Sequence, residues 1–488
     1  MKKICFCGVV LAAAMAFSGG LKVGFSRVDI TPPLGSYMPG YYKDRRAKEV
    51  LDPLEINCVA FSDGEKIAIL QQIDTEALSD AVASLMIDGI SKKTGVDRES
   101  IILHASHTHD GGFLVMKSPP GVKRSASVDD GVPENATEVD YLYVRMSVTR
   151  AVDAAVNAIA DLKPAKLSAG RSVAKRISFG RRYLMKDGRV RTNPGVNNPD
   201  IVKPYGPPPD EEVQVLRIDV EGAKPICIIN FQTHPDVVGN ETLTADWPGL
   251  TRTVFEAATM GKTRCIVING TQGDVNHVNV MPRPGEGNGL KRDFDNVDRG
   301  YDHAWHMANV LAGAALSVWM KCAPLESGKI RYGTENVKVP SQKAKDSDEK
   351  NLAWARKVWD MHLSGRDAEL PWKGMELTTE VARAGRICRL AGGPDFFEIP
   401  LTSFSIGKSV AFGGFPGEPF NDIGKEVKKR SPFRMTILSC LSNGSRGYFP
   451  FSDAYTTGGY ESATSPFGPS VADDLIEGEL KLLKRLYK

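Results

Sequence analysis

Short, almost wholly apolar runs that break abruptly into glycine, proline and histidine recur along this chain, and they limit the folds open to it. Ile67-Ala68-Ile69-Leu70, Ile101-Ile102-Leu103 and Ile266-Val267-Ile268 show no alternation of polar and apolar residues. Strands of that kind need cover on both faces. Strand-like runs span 56–61, 67–73, 101–105, 213–220, 226–231, 265–269, 403–412 and 435–441, while helical periodicity covers 76–93, 140–162, 247–260, 301–320, 351–363 and 471–486. The alternation predicts an α/β fold, with mixed β-sheets flanked by helices.

Residues 1–20 have the pattern of a signal peptide. Lys2 and Lys3 precede an apolar stretch too short to span a bilayer, and small residues follow at Ala16 and Ser18. The expectation is an exported protein, periplasmic or secreted, with no transmembrane segment once the leader is removed. Residues 21–488 are then expected to form one large domain. A net charge of +3 and the lack of basic blocks argue against a nucleic-acid partner. Beyond the leader, Cys58, Cys227, Cys265, Cys322, Cys388 and Cys440 form no C-x-x-C pair, which argues against a thiolate zinc site. A Cys388–Cys440 disulfide is left open. Two loop regions stand out: 193–210, stiffened by six prolines, and 281–296, rich in glycine, proline and charge and read as a flap.

Four segments repeat one design, an apolar strand that ends in a side chain suited to chemistry. The first runs from Ile101 to His107-Thr108-His109 and then Asp110-Gly111-Gly112. The second runs from Ile228 to Thr233-His234-Pro235, and the third from Ile266 to Gly270-Thr271-Gln272-Gly273-Asp274. In the fourth, Val410-Ala411-Phe412 passes through Gly413-Gly414-Phe415-Pro416-Gly417 to Glu418. Strand rims are where α/β proteins usually keep their sites. Two histidines and a carboxylate are a usual protein ligand set for catalytic zinc, which keeps an open position for water. The same residues also fit structural roles, with Glu418 at a helix N-terminus and His234 bonded to backbone. Spacing alone leaves both readings open.

These residues carry a resemblance. The stretches Asp29-Ile30-Thr31-Pro32-Pro33, Ser106-His107-Thr108-His109, Phe231-Gln232-Thr233-His234-Pro235, Gly273-Asp274, Pro416-Gly417-Glu418, and Asn443 through Tyr448 to Tyr460-Glu461 resemble, in order, the catalytic domain of the neutral/alkaline (non-lysosomal) ceramidase family. The resemblance implies a zinc-dependent amidohydrolase of sphingolipid or other lipid metabolism, cleaving an N-acyl (amide) bond of a small-molecule or lipid-like substrate. It implies Zn2+ held by His107, His234, Glu418 and Tyr448, with His109 handling protons and Arg181 near the substrate.

The chain departs from the family pattern at three places. Asn276 stands where a serine is expected, which excludes a mechanism needing that hydroxyl; its amide can still serve as a positioning donor. Asp110 replaces a serine after His-Thr-His, and Gly180 replaces an asparagine before Arg181. The C-terminal β-sandwich domain of full ceramidases has no counterpart in the sequence.

The mechanism expected is attack of zinc-bound water on the acyl carbonyl, with His109 or Asp110 moving the proton and Arg181 stabilising the oxyanion. A zinc esterase or deacylase acting on a non-lipid substrate such as an acylated sugar is the alternative, as is a non-catalytic binding protein that retains the fold.

Overall fold

Three strand–helix–strand crossovers organise the molecule, and each contributes one parallel strand pair. The computed structural model describes residues 20–41, 44–116, 136–283, 299–343 and 348–488. The first crossover is β3 (Ile67–Ile73), α1 (Asp80–Thr94) and β4 (Ile101–Ala105). A second joins β7 (Ile226–Phe231) through α3 (Asp246–Ala258) to β8 (Arg264–Asn269). The third joins β11 (Val410–Gly414) through α7 (Asn421–Arg430) to β12 (Met435–Ser439).

The first two crossovers sit at opposite ends of a nine-stranded sheet. Its middle is formed by β1 (Lys22–Asp29), β2 (Glu55–Ser62), β5 (Lys163–Val173) and β6 (Glu212–Val220), giving the order β8-β7-β6-β5-β1-β2-β3-β4, with Ala323–Leu325 added on β5. The third belongs to a four-stranded sheet in the order β9 (Ile330–Pro340), β10 (Phe396–Ile406), β11, β12. The run 403–412 is therefore a hairpin rather than one strand: Gly407 turns it with φ of 56°, a conformation that costs glycine little.

The two sheets pack face to face. Val23, Phe61, Leu70, Ile102 and Ile228 of the larger meet Phe404, Phe412 and Ile437 of the smaller in one buried cluster. Helices cover the outer faces. α1 and α2 (Glu138–Ala160) lie on β1–β4, α3 and α4 (Tyr301–Trp319) on β6–β8, and α7 and α8 (Val471–Tyr487) on the small sheet. This four-layer arrangement explains the wholly apolar strands, which are covered on both sides. A helical pair, α5 (Glu349–Leu363) and α6 (Gly374–Leu390), forms its own small core around Ala355, Val358 and Ile387. Among the described residues no helix is long and apolar enough to cross a membrane.

The larger sheet twists so far that its two edge strands meet. Asn269, at the end of β8, donates its backbone N–H to Nε2 of His104 in β4 at 3.0 Å. Because Nε2 accepts, the proton sits on Nδ1, which donates to the Cys440 carbonyl just past β12 at 2.8 Å. Burial pushes the His104 imidazole down to about 4, so it stays neutral. One buried ring thus ties together the C-terminal ends of all three crossovers, the position where open α/β sheets place their ligands.

Four expectations lie outside the described residues or are resolved by the structure. The signal-peptide segment and most of 281–296 are outside them. Cys388 and Cys440 are free thiols, not a disulfide. Within 193–210, Ile201–Pro204 pairs with Arg182–Met185 as a small sheet edge.

Candidate metal centre

Each crossover delivers one ligand-type side chain to the same point. After β4 the chain turns sharply, and His107 adopts a left-handed φ of 73°, a conformation that is costly for a residue bearing a Cβ. That turn is fixed from outside: His107 N–H donates to the Thr75 carbonyl at 2.9 Å and His109 N–H to the Pro235 carbonyl at 3.0 Å. After β7, His234 is held by its own N–H on the Val275 carbonyl at 3.1 Å. After β11, Glu418 begins a two-residue parallel pairing in which it lies directly opposite Tyr448.

The imidazoles are oriented by backbone carbonyls. Nδ1 of His107 faces the Glu76 carbonyl at 2.8 Å, and Nδ1 of His234 faces the Gln272 and Val275 carbonyls at 3.0 and 3.2 Å. Each ring therefore turns Nε2 inward, the arrangement that fixes the tautomer of a metal-ligating histidine. Both Nε2 atoms meet the same oxygen, Oε2 of Glu418, at 3.3 Å from His107 and 3.1 Å from His234. Tyr448 Oη lies 3.4 Å from His234 Nε2. Gln272 Nε2 donates to Glu418 Oε2 at 3.2 Å, and Gly273 lets the chain pass close by. A Cβ at Gly273 would stand 2.5 Å from the Glu418 carbonyl oxygen.

His109 also enters the cluster, with Nε2 3.3 Å from His107 Nε2. The donor atoms of His107, His109 and His234 lie within 4.8 Å of one another and could hold a metal ion. His109 nevertheless differs from the other two. Its Nδ1 has no hydrogen-bond partner among the described residues, and Gly40 packs against that edge of the ring.

The charged groups of the cluster act on one another. Burial opposes ionisation of Glu418, but His107 and His234 outweigh it and hold the carboxyl well below the usual carboxylate range. Burial likewise opposes charging of His107, yet Glu418 and Glu76 push that imidazole up to about 9. His109 is held well below the ordinary imidazole value, first by the protein packed around it and then by the charge on His107. The donor set, two inward nitrogens on one carboxylate oxygen with a phenol alongside, fits a zinc-type ion.

Arg181 reaches the cluster beside His234. Its Nη1 lies 3.3 Å from His234 Nε2, Nη2 donates to the Gly273 carbonyl at 2.6 Å, and Nε donates to Glu461 at 2.7 Å. Its guanidinium carbon sits 5.4 Å from the centre of the Tyr448 ring. Glu461 is fully buried and also accepts from Thr192 Oγ1 at 2.8 Å.

Asn276 lies one step away, on a short strand that pairs with Phe179-Gly180. Its amide donates to Asn193 at 3.3 Å and accepts from Val278 N–H at 3.1 Å. Asp110 is not placed to carry protons. It is fully buried, ion-paired to Arg45 at 3.0 Å, and bonded to Gly239 N–H at 2.9 Å. That buried pair secures the His107–Asp110 turn, since Arg45 also donates to the His109 carbonyl.

Reasoning from sequence did not single out Arg45, Gln272, Glu461 or Glu76. Gln272 sits inside a quoted strand-end segment and Glu461 inside a quoted matching stretch, so each carried a signal. Arg45 has none, because adjacent Arg46 looks the same in sequence.

No family model matches the chain, and no curated protein matches it in sequence. Solved structures do match in fold. The chain is similar to neutral ceramidase from Pseudomonas aeruginosa with a TM-score of 0.68 and 16% identity, covering 96% of this chain and 75% of that one. It is also similar to a ceramidase complexed with C2, at a TM-score of 0.68 and 15% identity over 96% of this chain and 76% of that one. The shared fold spans nearly the whole chain, as the motif resemblance leads one to expect.

Proposed function

We propose that this protein is a zinc-dependent hydrolase that cleaves an N-acyl bond of a ceramide-like or other acylated amine. The observation that carries the reading is the convergence of His107 Nε2 and His234 Nε2 on one oxygen of Glu418, with both Nδ1 atoms committed to backbone carbonyls. Similarity in fold to a neutral ceramidase supports the same chemistry. We assign His107, His234, Glu418 and Tyr448 as the ligands, in one domain spanning 21–488 of an exported protein.

Bound zinc would polarise the acyl carbonyl and lower the pKa of water at the open position. The surrounding residues do the rest. His109, neutral and with its Nε2 turned toward the cluster, accepts the proton of the attacking water there and returns it to the departing amine. Arg181 brings a fixed positive charge to the side where the oxyanion develops, aimed by Glu461 and the Gly273 carbonyl. Asn276 acts as a positioning residue: it holds Asn193, whose N–H donates to the Arg181 carbonyl at 2.8 Å, and so steadies the strand carrying Arg181.

The experiment is a hydrolysis screen of matched N-acyl amides and acyl esters with the zinc-loaded protein. Turnover of amides, lost in His109→Ala, is expected. Turnover confined to esters would move the protein to the esterase class, and none at all would favour a binding role.

A further inference from the structure

We propose that Gln272 is a positioning residue of the metal centre: its side-chain amide holds the Glu418 carboxylate by one oxygen and confines it to single-oxygen ligation. This inference rests on the metal-dependent reading above and adds a residue to the same site.

Gln272 lies in the loop after β8 and touches two of the assigned ligands by different means. Its main-chain carbonyl accepts from Nδ1 of His234 at 3.0 Å and from Val275 N–H at 3.2 Å. Its side-chain Nε2 donates to Glu418 Oε2 at 3.2 Å. One residue therefore grips the ligand of the second crossover with its backbone and the ligand of the third with its amide. The first contact is independent of the side chain; the second depends on it entirely.

The amide has little else to bond. Gln272 is fully buried, and the other acceptor its Nε2 meets is Cys440 Sγ at 3.9 Å, a thiol that accepts weakly. Its Oε1 is buried with no hydrogen-bond partner among the described residues. An apolar side chain of similar size would avoid the cost of burying that amide. What it would forgo is the bond to Glu418.

That bond limits how Glu418 can serve an ion. A carboxylate oxygen carries two lone pairs, and Gln272 occupies one of those on Oε2. The same oxygen is the one on which Nε2 of His107 and of His234 converge, at 3.3 and 3.1 Å. Turning the carboxylate so that both oxygens ligate would break the amide bond and orphan a buried N–H. Single-oxygen ligation leaves room for the open position that a catalytic zinc keeps for water.

The test compares the wild-type full chain with Gln272→Met and Gln272→Leu, which fill the space without a donor and spare the main-chain bond to His234. Neither readout needs turnover. Competitive chelator titration measures zinc affinity, which is expected to fall by about 10–100-fold in both variants, the scale for losing a group that supports a ligand. Infrared difference spectra, zinc-loaded minus metal-free, read the ligand carboxylate itself. The gap between its antisymmetric and symmetric stretches is wide for single-oxygen ligation and narrow for chelation. A wide gap is expected in the wild type and a narrow one in both variants, a change that loss of a purely structural contact would not produce.

A wide gap retained in both variants overturns the proposal, whether or not affinity falls, and so does unchanged zinc affinity. Should neither variant fold, the wild-type spectrum still decides, because a narrow gap there overturns single-oxygen ligation directly. Wild-type protein that takes up no zinc rejects the metal-dependent reading itself, and this inference falls with it.

Discussion

Glu418 and Tyr448 face each other as register partners in a parallel pairing only two residues long, Glu418-Pro419 against Tyr448-Phe449. Partners in such a pairing project to the same side of the ladder. This explains how a phenol thirty residues downstream arrives beside a carboxylate with no sequence motif linking them. Pro416 to Glu418 and Gly447 to Tyr448 are tied by the Glu418 N–H bond to the Gly447 carbonyl at 2.9 Å. The site is therefore specified by the ends of three crossovers and one short bridge.

Gly273 sets the distance between the third crossover and the loop after β8. A Cβ there would stand 2.5 Å from the Glu418 carbonyl oxygen and 2.9 Å from that of Pro419. Gly273→Ala is expected to push Glu418 out of place, weakening zinc binding by about 10–100-fold, the scale seen when groups supporting ligands are lost. Competitive chelator titration measures this. Unchanged affinity would show that Glu418 is not held by this contact.

His109 and His107 are expected to separate functionally. His109→Ala should retain stoichiometric zinc and lose rate by about 10²–10⁴-fold, the usual scale for acid–base catalysis. His107→Ala should lose the metal itself, because its Nδ1 is committed to the Glu76 carbonyl and its Nε2 points at Glu418. Paired metal analysis and single-turnover kinetics read the two effects. Equal metal loss in both variants would contradict the assignment.

The left-handed backbone at His107 predicts an inverted order of stability for two variants. With φ at 73°, His107→Gly should be more stable than His107→Ala by about 1 kcal/mol, although glycine usually destabilises relative to alanine. Thermal melts of the metal-free variants decide it. The reverse order would mean the turn relaxes when the imidazole is removed.

Glu479 makes the stability of the small sheet depend on pH. Its Oε1 accepts from Ser403 Oγ at 2.7 Å, while Oε2 is buried with no partner among the described residues. Burial pushes the carboxyl up to about 7 from its ordinary 4.5. Because the folded state holds this proton more tightly than the unfolded state, the contribution is complete below pH 4.5 and is lost as pH rises through about 7. Glu479→Gln should flatten that slope and raise stability at pH 8 by roughly 2–3 kcal/mol. Denaturant titrations at pH 5 and 8 test the difference; a parallel pH slope in both proteins would contradict it.

Much of this architecture was legible because burial on both faces leaves a plain mark. Uninterrupted apolar runs mark β3, β4, β7, β8 and the start of β11, and the polar residues that follow β4, β7 and β11 are His107, His109, His234 and Glu418. Half-exposed strands left no such mark. β5 alternates Lys163, Lys166 and Arg171 with small residues, and its pairing with β6 is what makes it a strand. The helix α6 was missed because its buried stripe of Val381, Ala384 and Ile387 is narrow and interleaved with arginines.

Glu76 was absorbed into a helical run, since a glutamate ahead of apolar spacing reads as a first turn. The helix instead starts at Asp80, where Ser79 caps it by accepting from Val82 N–H at 3.3 Å, and this leaves Glu76 on the strand side. Tyr448 could come only from the resemblance, because no local spacing encodes a bridge to Glu418. Asp110 misled for the opposite reason: its position beside His109 looked chemical, whereas its partner Arg45 lies 65 residues away in sequence.

The most direct test is a crystal of the zinc-loaded protein, with anomalous scattering recorded on both sides of the zinc absorption edge. One zinc per chain is predicted, in bonding reach of His107 Nε2, His234 Nε2, a Glu418 carboxylate oxygen and Tyr448 Oη. Zinc located elsewhere, or an empty centre in protein saturated with the metal, would contradict the account.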